Sequence, residues 1–275
     1  MAERAIIGLT EWLQTPAGRY VLAWEQGHLD TAVVDLFGFH ALQLGLPELD
    51  ALRANRMPHR WVGVDTAAQE APRDNTSPAM PRAAVALHCD FDALPFDSNS
   101  LDLVVLPHAL ELARDPHLAL REVERVLVPE GRVVIVGFNP TSLWGVRQAF
   151  GRLRRGLGLG KSRDLFLPGG GEFMRYRRLR DWLRLLSFEV EAGRFGCYLP
   201  PLRSQAWLSR FEWAERIGER WWPVFGAVYF VVAVKRVRGM RLVGLARSQR
   251  APKQAAPAPV VATHHTSTKE PTHEH

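Results

Sequence analysis

The chain has 275 residues, of which 47% are hydrophobic and 23% are charged. This composition supplies one large hydrophobic core and excludes a wholly disordered, collagenous or coiled-coil protein. No apolar run reaches the roughly 18 residues that indicate a membrane-spanning helix. The segment 1–16 has acidic and polar residues where a secretory signal has its apolar stretch, so a cytoplasmic location is expected.

The positive charge is concentrated in one segment. The formal net charge is +6, and residues 147–184 contain eleven basic but only three acidic residues. One interpretation is that two helices expose solvated basic faces. The other is a site for an acidic partner such as nucleic acid, anionic lipid or a phosphorylated substrate, whose attraction weakens as the salt concentration rises.

No metal centre or disulfide framework is indicated. The two cysteines, Cys89 and Cys197, lie far apart and outside any metal-ligand spacing, which predicts two reduced core residues. Beyond about residue 248 the chain consists mainly of Ala, Pro, Thr and His, which predicts a disordered tail over 239–275. Its histidines are irregularly spaced, which is typical of incidental residues rather than of a ligand set.

A helix is predicted near the N terminus. Thr15 can cap its first turn, Pro16 suits the first helical position, and Tyr20, Val21 and Trp24 follow at helical spacing. We therefore assign residues 1–30 to an N-terminal helical segment.

Strand and helix patterns alternate after this segment. Short apolar runs between turn residues predict strands at 40–44, 61–64, 84–87, 101–106, 132–136, 188–191 and 225–234. Helical patterns occur at 115–127, where Asp115 caps and Pro116 opens the helix, and at 141–150, 176–186 and 204–220. The alternation predicts an α/β domain over 31–238, with a mostly parallel sheet and helices on both faces.

Acidic residues stand beside three of the predicted strands. Asp65 ends the second strand, Asp90 follows the third and Asp102 opens the fourth. Ligands of doubly wound sheets bind beyond the carboxyl ends of the strands. A carboxylate at the end of the second strand can accept hydrogen bonds from both hydroxyls of a ribose, which predicts a nucleoside at Asp65. A turn or helix cap is the alternative interpretation.

Residues 90–135 resemble the class I S-adenosylmethionine-dependent methyltransferases. The residues that carry the resemblance, without a gap, are DFDALPF at 90–96, SLDLVV at 100–105, Leu110, DP at 115–116, Leu120, Glu122, RVL at 125–127, PEGR at 129–132 and VI at 134–135. With Val62-Gly63-Val64-Asp65 and the later strands, the similarity covers 36–236. A smaller bacterial methyltransferase-like group also resembles this chain at Gly38-Phe39-His40, at Gly45 and at Gly137-Phe138-Asn139-Pro140.

The resemblance implies a Rossmann-like fold with a seven-stranded sheet, and S-adenosyl-L-methionine as the cofactor. It puts Asp65 on the ribose hydroxyls, Asp90 on the adenine amino group, Phe91 beside the adenine ring and Leu106 along the methionine side. His108 follows the fourth strand and is a candidate to accept a proton from the methyl acceptor. A structural hydrogen-bonding role is the alternative for His108.

The glycine loop departs from the family pattern. Family members have an acid and then three glycines at alternate positions after the first strand. At the matching distance from Asp65, this chain has Gln43 in place of the acid and keeps Gly45, which Leu46 follows. Placing the acid at Asp35 instead would need a long insertion before the second strand. We therefore expect Gln43, Gly45 and Leu46 to hold the methionine part in an altered way.

Two functions remain as hypotheses. The first is a methyltransferase that transfers a methyl group from S-adenosyl-L-methionine to an unidentified small-molecule acceptor. The second is a catalytically inactive methyltransferase-like binding or adaptor protein that uses its basic 147–184 segment. Asn139-Pro140 resembles part of a motif of amino-group methyltransferases, but it follows the fifth strand and lacks the second proline, so DNA-adenine methylation is not predicted.

Overall fold

A computed structural model describes residues 7–66, 83–157, 166–167, 173–201, 213–222 and 224–236 of the protein. A seven-stranded sheet runs through these residues in the order β3-β2-β1-β4-β5-β7-β6. The strands are β1 His40–Leu44, β2 His59–Val64, β3 Leu87–His88, β4 Leu101–Pro107, β5 Leu127–Phe138, β6 Phe188–Gly196 and β7 Val228–Lys235. Strands β1 to β5 are parallel, and β7 pairs antiparallel with both β5 and β6. The predicted mostly parallel α/β fold is confirmed.

Helices cover both faces of this sheet. They are α1 Ile7–Leu13, α2 Pro16–Val33, α3 Ala109–Leu112, α4 Pro116–Val126, α5 Leu143–Gly156, α6 Tyr176–Leu185 and α7 Trp213–Trp221. The Thr15 hydroxyl accepts a hydrogen bond from the Gly18 N–H at the start of α2, and Asp115 accepts two at the start of α4. Both predicted N-caps are confirmed.

Alternate residues of the central strands enter two separate core layers. On β4, Leu103 and Val105 pack into the layer formed with α1 and α2, whereas Val104 and Leu106 pack into the layer formed with α4 and α6. This two-residue alternation follows from the pleat of a strand, and both faces are apolar because helices cover both. The N-terminal helices therefore share a hydrophobic layer with the sheet.

The observed boundaries differ from the sequence prediction at several elements, of which β6, at Phe188–Gly196 instead of 188–191, is one. Strand β3 is only Leu87–His88, because these two residues alone pair with β2. Strand β5 begins at Leu127, which is also the C-cap of α4, so no loop separates helix from strand. The predicted N-terminal helical segment contains two helices, α1 and α2, whereas the four-residue helix α3 was not predicted, because four residues show too little of a helical period.

Several predicted segments lie wholly or partly outside the described residues, among them the N-terminal segment at 1–6 and the basic segment at 158–165 and 168–172. The helix predicted at 204–220 is observed as α7, and residues 202–212 are not described. The predicted tail at 239–275 is also outside the described part. Both cysteines are buried and unpaired. Within the described ranges, no helix has the length and apolarity needed to cross a bilayer.

Asp102 fixes the entry of the chain into β1. Its Oδ2 accepts hydrogen bonds from the Phe39 N–H at 2.8 Å and the His40 N–H at 2.9 Å. A Cβ atom on Gly38 would lie 2.5 Å from Cβ and Cγ of Asp102, so this approach requires glycine. Asp102 is thus at the amino-terminal edge of β4, opposite the edge where ligands of such sheets bind.

We expect Gly38→Ala to lower the free energy of unfolding by about 1–3 kcal/mol, because the new methyl group would displace Asp102. The matched control is Gly27→Ala in α2, where an added Cβ meets nothing within 4 Å. That substitution should raise the free energy of unfolding by roughly 0.5–1 kcal/mol. Urea titrations of the two variants measure both values, and equal effects would contradict the assigned role of Gly38.

Candidate cofactor and acceptor site

The parallel strands bring four of the predicted site residues to one edge of the sheet, here called the carboxyl edge. Gly45 follows β1, Asp65 follows β2, Asp90 lies two residues after β3, and His108 follows β4. Because β1, β2, β3 and β4 are parallel neighbours, these four positions lie along the same edge. The carboxyl edge is where doubly wound sheets bind nucleotides.

The turn after β1 keeps a glycine-loop backbone although it has a single glycine. Gly45 has a φ of 82° and Leu46 a φ of 35°, so two successive residues adopt positive φ. A Cβ atom on Gly45 would lie 3.4 Å from the carbonyl oxygen of Pro107 and from the Cβ of Ala109. The turn therefore passes close over the end of β4, and Leu46 holds an unfavourable conformation for a non-glycine residue.

Gln43 holds this turn from within the core. Its side chain is fully buried, and its Nε2 donates to the carbonyl oxygens of Gly45, Leu46 and Leu49, the last at 2.7 Å. Its Oε1 accepts a hydrogen bond from the Ala51 N–H at 2.9 Å. The amide thus binds the backbone of the loop with both of its ends. Its donating end faces only carbonyl oxygens. The ionised acid of the family pattern could not donate hydrogen bonds to them, because a carboxylate only accepts.

The two acidic candidates differ in exposure. Asp65 is half-buried and Asp90 is exposed, and the Thr66 hydroxyl donates a hydrogen bond to Oδ1 of Asp90. Phe91 and Leu106 are buried in the core layer on the α4 side of the sheet. Both carboxylates thus reach the surface at the carboxyl edge, and the buried apolar residues form the layer behind them.

An ion pair on α4 fixes the loop that carries Asp90. Glu122 and Arg125 are joined at 2.9 Å. Arg125 donates to the carbonyl oxygens of Leu94 and Phe96, and Glu122 accepts from the Leu94 N–H at 3.2 Å. Glu122 and Arg125 of α4 therefore hold the backbone of the Leu94-Pro95-Phe96 run, although about 30 residues separate the two segments in the sequence.

His108 lies in a buried charged cluster. Its side chain is completely buried, its Nε2 is 2.8 Å from Oε1 of Glu25, and its Nδ1 is 2.9 Å from Oε2 of Glu111. The other oxygen of Glu111 accepts a hydrogen bond from the Phe138 N–H at the end of β5. Oε2 of Glu25 is buried and has no hydrogen-bond partner among the described residues. The cluster joins α2, the end of β4 and the end of β5.

The carboxylates set the protonation state of His108. Burial lowers the pKa of His108, but the attraction of Glu25 and Glu111 outweighs it and raises this pKa to about 10. Burial raises the pKa of Glu111, and the ring of His108 and the Phe138 N–H offset only part of that rise. At neutral pH the ring is therefore an imidazolium that donates from both nitrogens, and it has no lone pair with which to accept a proton. The geometry favours the structural interpretation of His108 over the catalytic one.

The last residues of β5 and the loop that follows them complete the end of the site beside Glu111. A Cβ atom on Gly137 would lie 2.5 Å from Oη of Tyr229 and 3.1 Å from Oε1 of Glu111, so the position requires glycine. Asn139 donates its side-chain amide hydrogens to the carbonyl oxygens of Val224 and Gly226, and its Oδ1 accepts from the N–H and the hydroxyl of Thr141. Asn139 therefore ties the end of β5 to the start of β7.

Sequence reasoning missed Glu25 and Glu111. Glu25 is four residues from both Val21 and Leu29 and lies with them on the buried face of α2. A carboxylate in the middle of an apolar helix face is the signal that could have identified it, because buried acids are almost always paired. Its partner could not be identified in the same way, since 83 residues separate Glu25 from His108.

Comparison with known proteins finds similar sequences. Residues 46–135 match the sequence model of a family described as a methyltransferase domain. The uncharacterized protein YafS of Escherichia coli K12 is 29% identical over 247 residues, which are 88% of this chain and 87% of that protein. A demethylmenaquinone methyltransferase of Chlamydia pneumoniae is 32% identical over 77 residues, which are 28% of this chain and 30% of that protein. In that comparison the chain spans less than a third of the curated relative.

Solved structures share the fold. An S-adenosylmethionine-dependent methyltransferase of Thermotoga maritima has a TM-score of 0.54 against this chain at 16% identity. The superposition covers 85% of this chain and 97% of that one. The likeness thus extends well beyond the segment that the family model matches.

We expect the His108 ring to keep both protons until about pH 10. The folded pKa lies above the ordinary value of 6.5, so the stability that His108 contributes is complete below pH 6.5 and is lost as the pH rises toward 10. Nitrogen NMR of histidine-labelled protein measures the midpoint, with the resonance assigned through its loss in His108→Gln. The free energy of unfolding should also fall less steeply above pH 7 in His108→Gln than in wild type.

The matched control for His108 is His117→Gln, a change at a half-buried histidine of α4. This variant should keep the wild-type pH dependence of the free energy of unfolding. A midpoint for His108 near 6.5, or an identical slope in His108→Gln and wild type, would contradict a protonated histidine in the cluster.

We expect Gln43→Glu to destabilise the protein by roughly 1–3 kcal/mol although it restores the acid of the family pattern, because a carboxylate oxygen would face three carbonyl oxygens. It should also weaken the binding of S-adenosylhomocysteine, measured by calorimetric titration. The control is Gln148→Glu, a change at a buried amide bound to residues 166–167. Gln148→Glu should lower the free energy of unfolding without changing the affinity for S-adenosylhomocysteine. Tighter ligand binding by Gln43→Glu would refute the proposed support of the turn.

Proposed function

We propose that the chain is a class I S-adenosylmethionine-dependent methyltransferase that transfers the methyl group of S-adenosyl-L-methionine to a small-molecule acceptor, a proposal that its fold and the methyltransferase-domain match over residues 46–135 support. The observation that carries the proposal is the meeting of Asp65, Asp90 and the Gly45 turn at the carboxyl edge of the sheet. The cytoplasmic location expected from the sequence is part of the same proposal.

The residues at the carboxyl edge fit this cofactor chemically. Asp65 and Asp90 supply carboxylates for the ribose hydroxyls and the adenine amino group, and the buried ring of Phe91 lies behind the adenine side. The positive-φ turn at Gly45 and Leu46 lets the backbone come close to the methionine side, where Leu106 forms the apolar layer beneath. Gln43 acts by holding that turn rather than by contacting the ligand.

The cofactor supplies a methyl group that is already activated on a sulfonium, so the protein's own contribution is to bind and align the two reactants. We assign His108 a positioning role in this alignment. As an imidazolium between two carboxylates, it holds α2 against the ends of β4 and β5, where the methyl acceptor would approach. Helix α2 would then form one wall of the acceptor site.

The inactive-adaptor hypothesis predicts a different result in the same experiment. Two features favour it, the missing glycines of the loop and the basic 147–184 segment, yet the turn keeps positive φ at Gly45 and Leu46. An adaptor without a working site would bind neither S-adenosyl-L-methionine nor S-adenosylhomocysteine. Cofactor binding therefore separates the two hypotheses without knowledge of the acceptor.

We expect saturable binding of S-adenosylhomocysteine at concentrations below about 1 mM in a calorimetric titration. Asp65→Ala should lower the affinity roughly 10- to 100-fold, because hydrogen bonds to a charged carboxylate are lost. The matched control is Asp97→Ala, which changes an exposed aspartate near the amino-terminal end of β4 and should leave the affinity unchanged. Binding that is indifferent to Asp65 would move the cofactor site elsewhere, and a lack of binding in wild type would favour the adaptor.

A further inference from the structure

Helix α5 carries an apolar stripe on its exposed side. The side chains of this stripe follow one another at spacings of three or four residues, so they lie on one face of the helix, and each is at least 60% exposed. They are Leu143, Val146, Phe150 and Leu153, with Leu157 directly after the helix. The opposite side of α5 faces the core, where Trp144 and Gln148 are buried. The stripe is therefore surplus to the packing of the domain.

The polar residues beside the stripe are all basic or neutral. Helix α5 contains Arg147, Arg152, Arg154 and Arg155 and has no acidic residue. At 100° per residue, Arg147 and Arg154 lie along one border of the stripe, and both are exposed. The guanidinium of Arg147 is also held over the ring of Phe166 at 4.8 Å. The stripe is thus bordered by fixed positive charge.

Exposed aromatic residues adjoin the start of this helix. Asn139 lies four residues before α5, and its side chain donates to the carbonyl oxygens of Val224 at 2.8 Å and Gly226 at 2.9 Å. The segment held there includes Trp222 and Phe225, which are 60% and 52% exposed. The chain just before α5 is therefore tied to an exposed aromatic segment, of which residues 221, 222, 224 and 225 are described and which is here called segment 221–225.

We propose that α5 and segment 221–225 dock the protein on an anionic phospholipid surface, with α5 lying in the plane of the headgroups. An interfacial helix combines an apolar face with basic residues beside it, and tryptophan favours the boundary between headgroups and acyl chains. The arginines attract acidic headgroups, and this attraction weakens as the salt concentration rises. The apolar stripe adds a second attraction, the burial of its side chains among the acyl chains. A partner bound by charge alone would leave these side chains in water.

Other occupants fit this surface less well. Nucleic acid would pair with the arginines, but its phosphates would leave five exposed apolar side chains in water. A second copy of the chain would bring two stripes together, each bordered by Arg147 and Arg154 on a helix that has no acidic residue to pair with them. An anionic lipid surface would both bury the apolar stripe and pair its arginines with acidic headgroups.

Docking at this surface bears on the proposed function but does not depend on it. Helix α5 begins five residues after the end of β5, so the carboxyl edge of the sheet lies close to the docked surface. An acceptor held in the bilayer surface would then reach the proposed site without crossing much water. The docking itself requires no cofactor and is measured separately from cofactor binding.

The test is co-sedimentation of the full chain with vesicles of phosphatidylcholine alone and with vesicles that also contain phosphatidylglycerol. We expect wild type to bind the phosphatidylglycerol vesicles, more weakly as salt is raised, and to bind phosphatidylcholine poorly. The double variant Phe150→Ser/Leu153→Ser should lower the binding constant at least about tenfold. Arg154→Gln should lower it roughly fivefold.

The matched control is Phe37→Ser/Phe39→Ser, because these two rings are 77% and 69% exposed and Phe39 lies at the amino-terminal edge of β1. This control should bind vesicles like wild type, and so should Asp65→Ala, which separates docking from the cofactor site. Thermal unfolding of each variant verifies that the fold is intact, and S-adenosylhomocysteine titration verifies it for every variant except Asp65→Ala.

Four outcomes would overturn the proposal. The first is the absence of binding to phosphatidylglycerol vesicles, and the second is an equal loss of vesicle binding in Phe37→Ser/Phe39→Ser. The third is a dimer, detected by sedimentation, that dissociates in Phe150→Ser/Leu153→Ser. The fourth is retention on nucleic acid that requires the arginines but not the apolar stripe. The last two results would assign the surface to a second copy or to nucleic acid instead.

Discussion

A protonated histidine between two buried carboxylates holds the carboxyl edge of this fold together. His108 contacts Glu25 of α2 on one side and Glu111 on the other, and Glu111 receives the Phe138 N–H of β5. Removal of one member of such a cluster leaves a buried charge without its partner, at a typical cost of about 3–5 kcal/mol. The position of α2 over the ends of β4 and β5, and hence the acceptor side of the proposed site, depends on this cluster.

The turn after β1 shows that a backbone shape can persist when the residues that usually produce it are replaced. The three alternate glycines of the family pattern are reduced to Gly45, yet Leu46 also keeps a positive φ. Gln43 compensates from below by binding three carbonyl oxygens and the Ala51 N–H. A neutral amide is suited to this task because it donates and accepts at once, whereas a carboxylate only accepts. The cofactor side of the site thus depends on a second buried polar group.

Much of the fold could be predicted because its signals are local. The N-caps Thr15 and Asp115 and the apolar strand runs lie within short segments, and the alternation of strands and helices requires a parallel sheet. Once the sheet is parallel, Asp65 and Asp90 must share an edge, so their proximity also followed from the sequence. The cluster around His108 did not, because its partners come from distant segments whose spacing carries no period.

The exposed surface of α5 illustrates a different limit of sequence reasoning. A helical pattern was predicted at 141–150 and is confirmed, but both sides of this helix carry large apolar residues. Periodicity identifies an apolar face without stating which side meets the core. Packing decides this, since Trp144 donates to the Leu199 carbonyl oxygen inside the core while Phe150 remains in solvent. Only the folded structure therefore shows which apolar side of α5 is exposed.

The most direct test of the account is a crystal structure of the protein with S-adenosylhomocysteine. The account predicts the ribose on Asp65, the adenine amino group toward Asp90, and the homocysteine part against the Gly45-Leu46 turn, with His108 still bonded to Glu25 and Glu111. A ligand bound away from the ends of β1 and β2, or a crystal saturated with ligand in which the carboxyl edge stays empty, would contradict it.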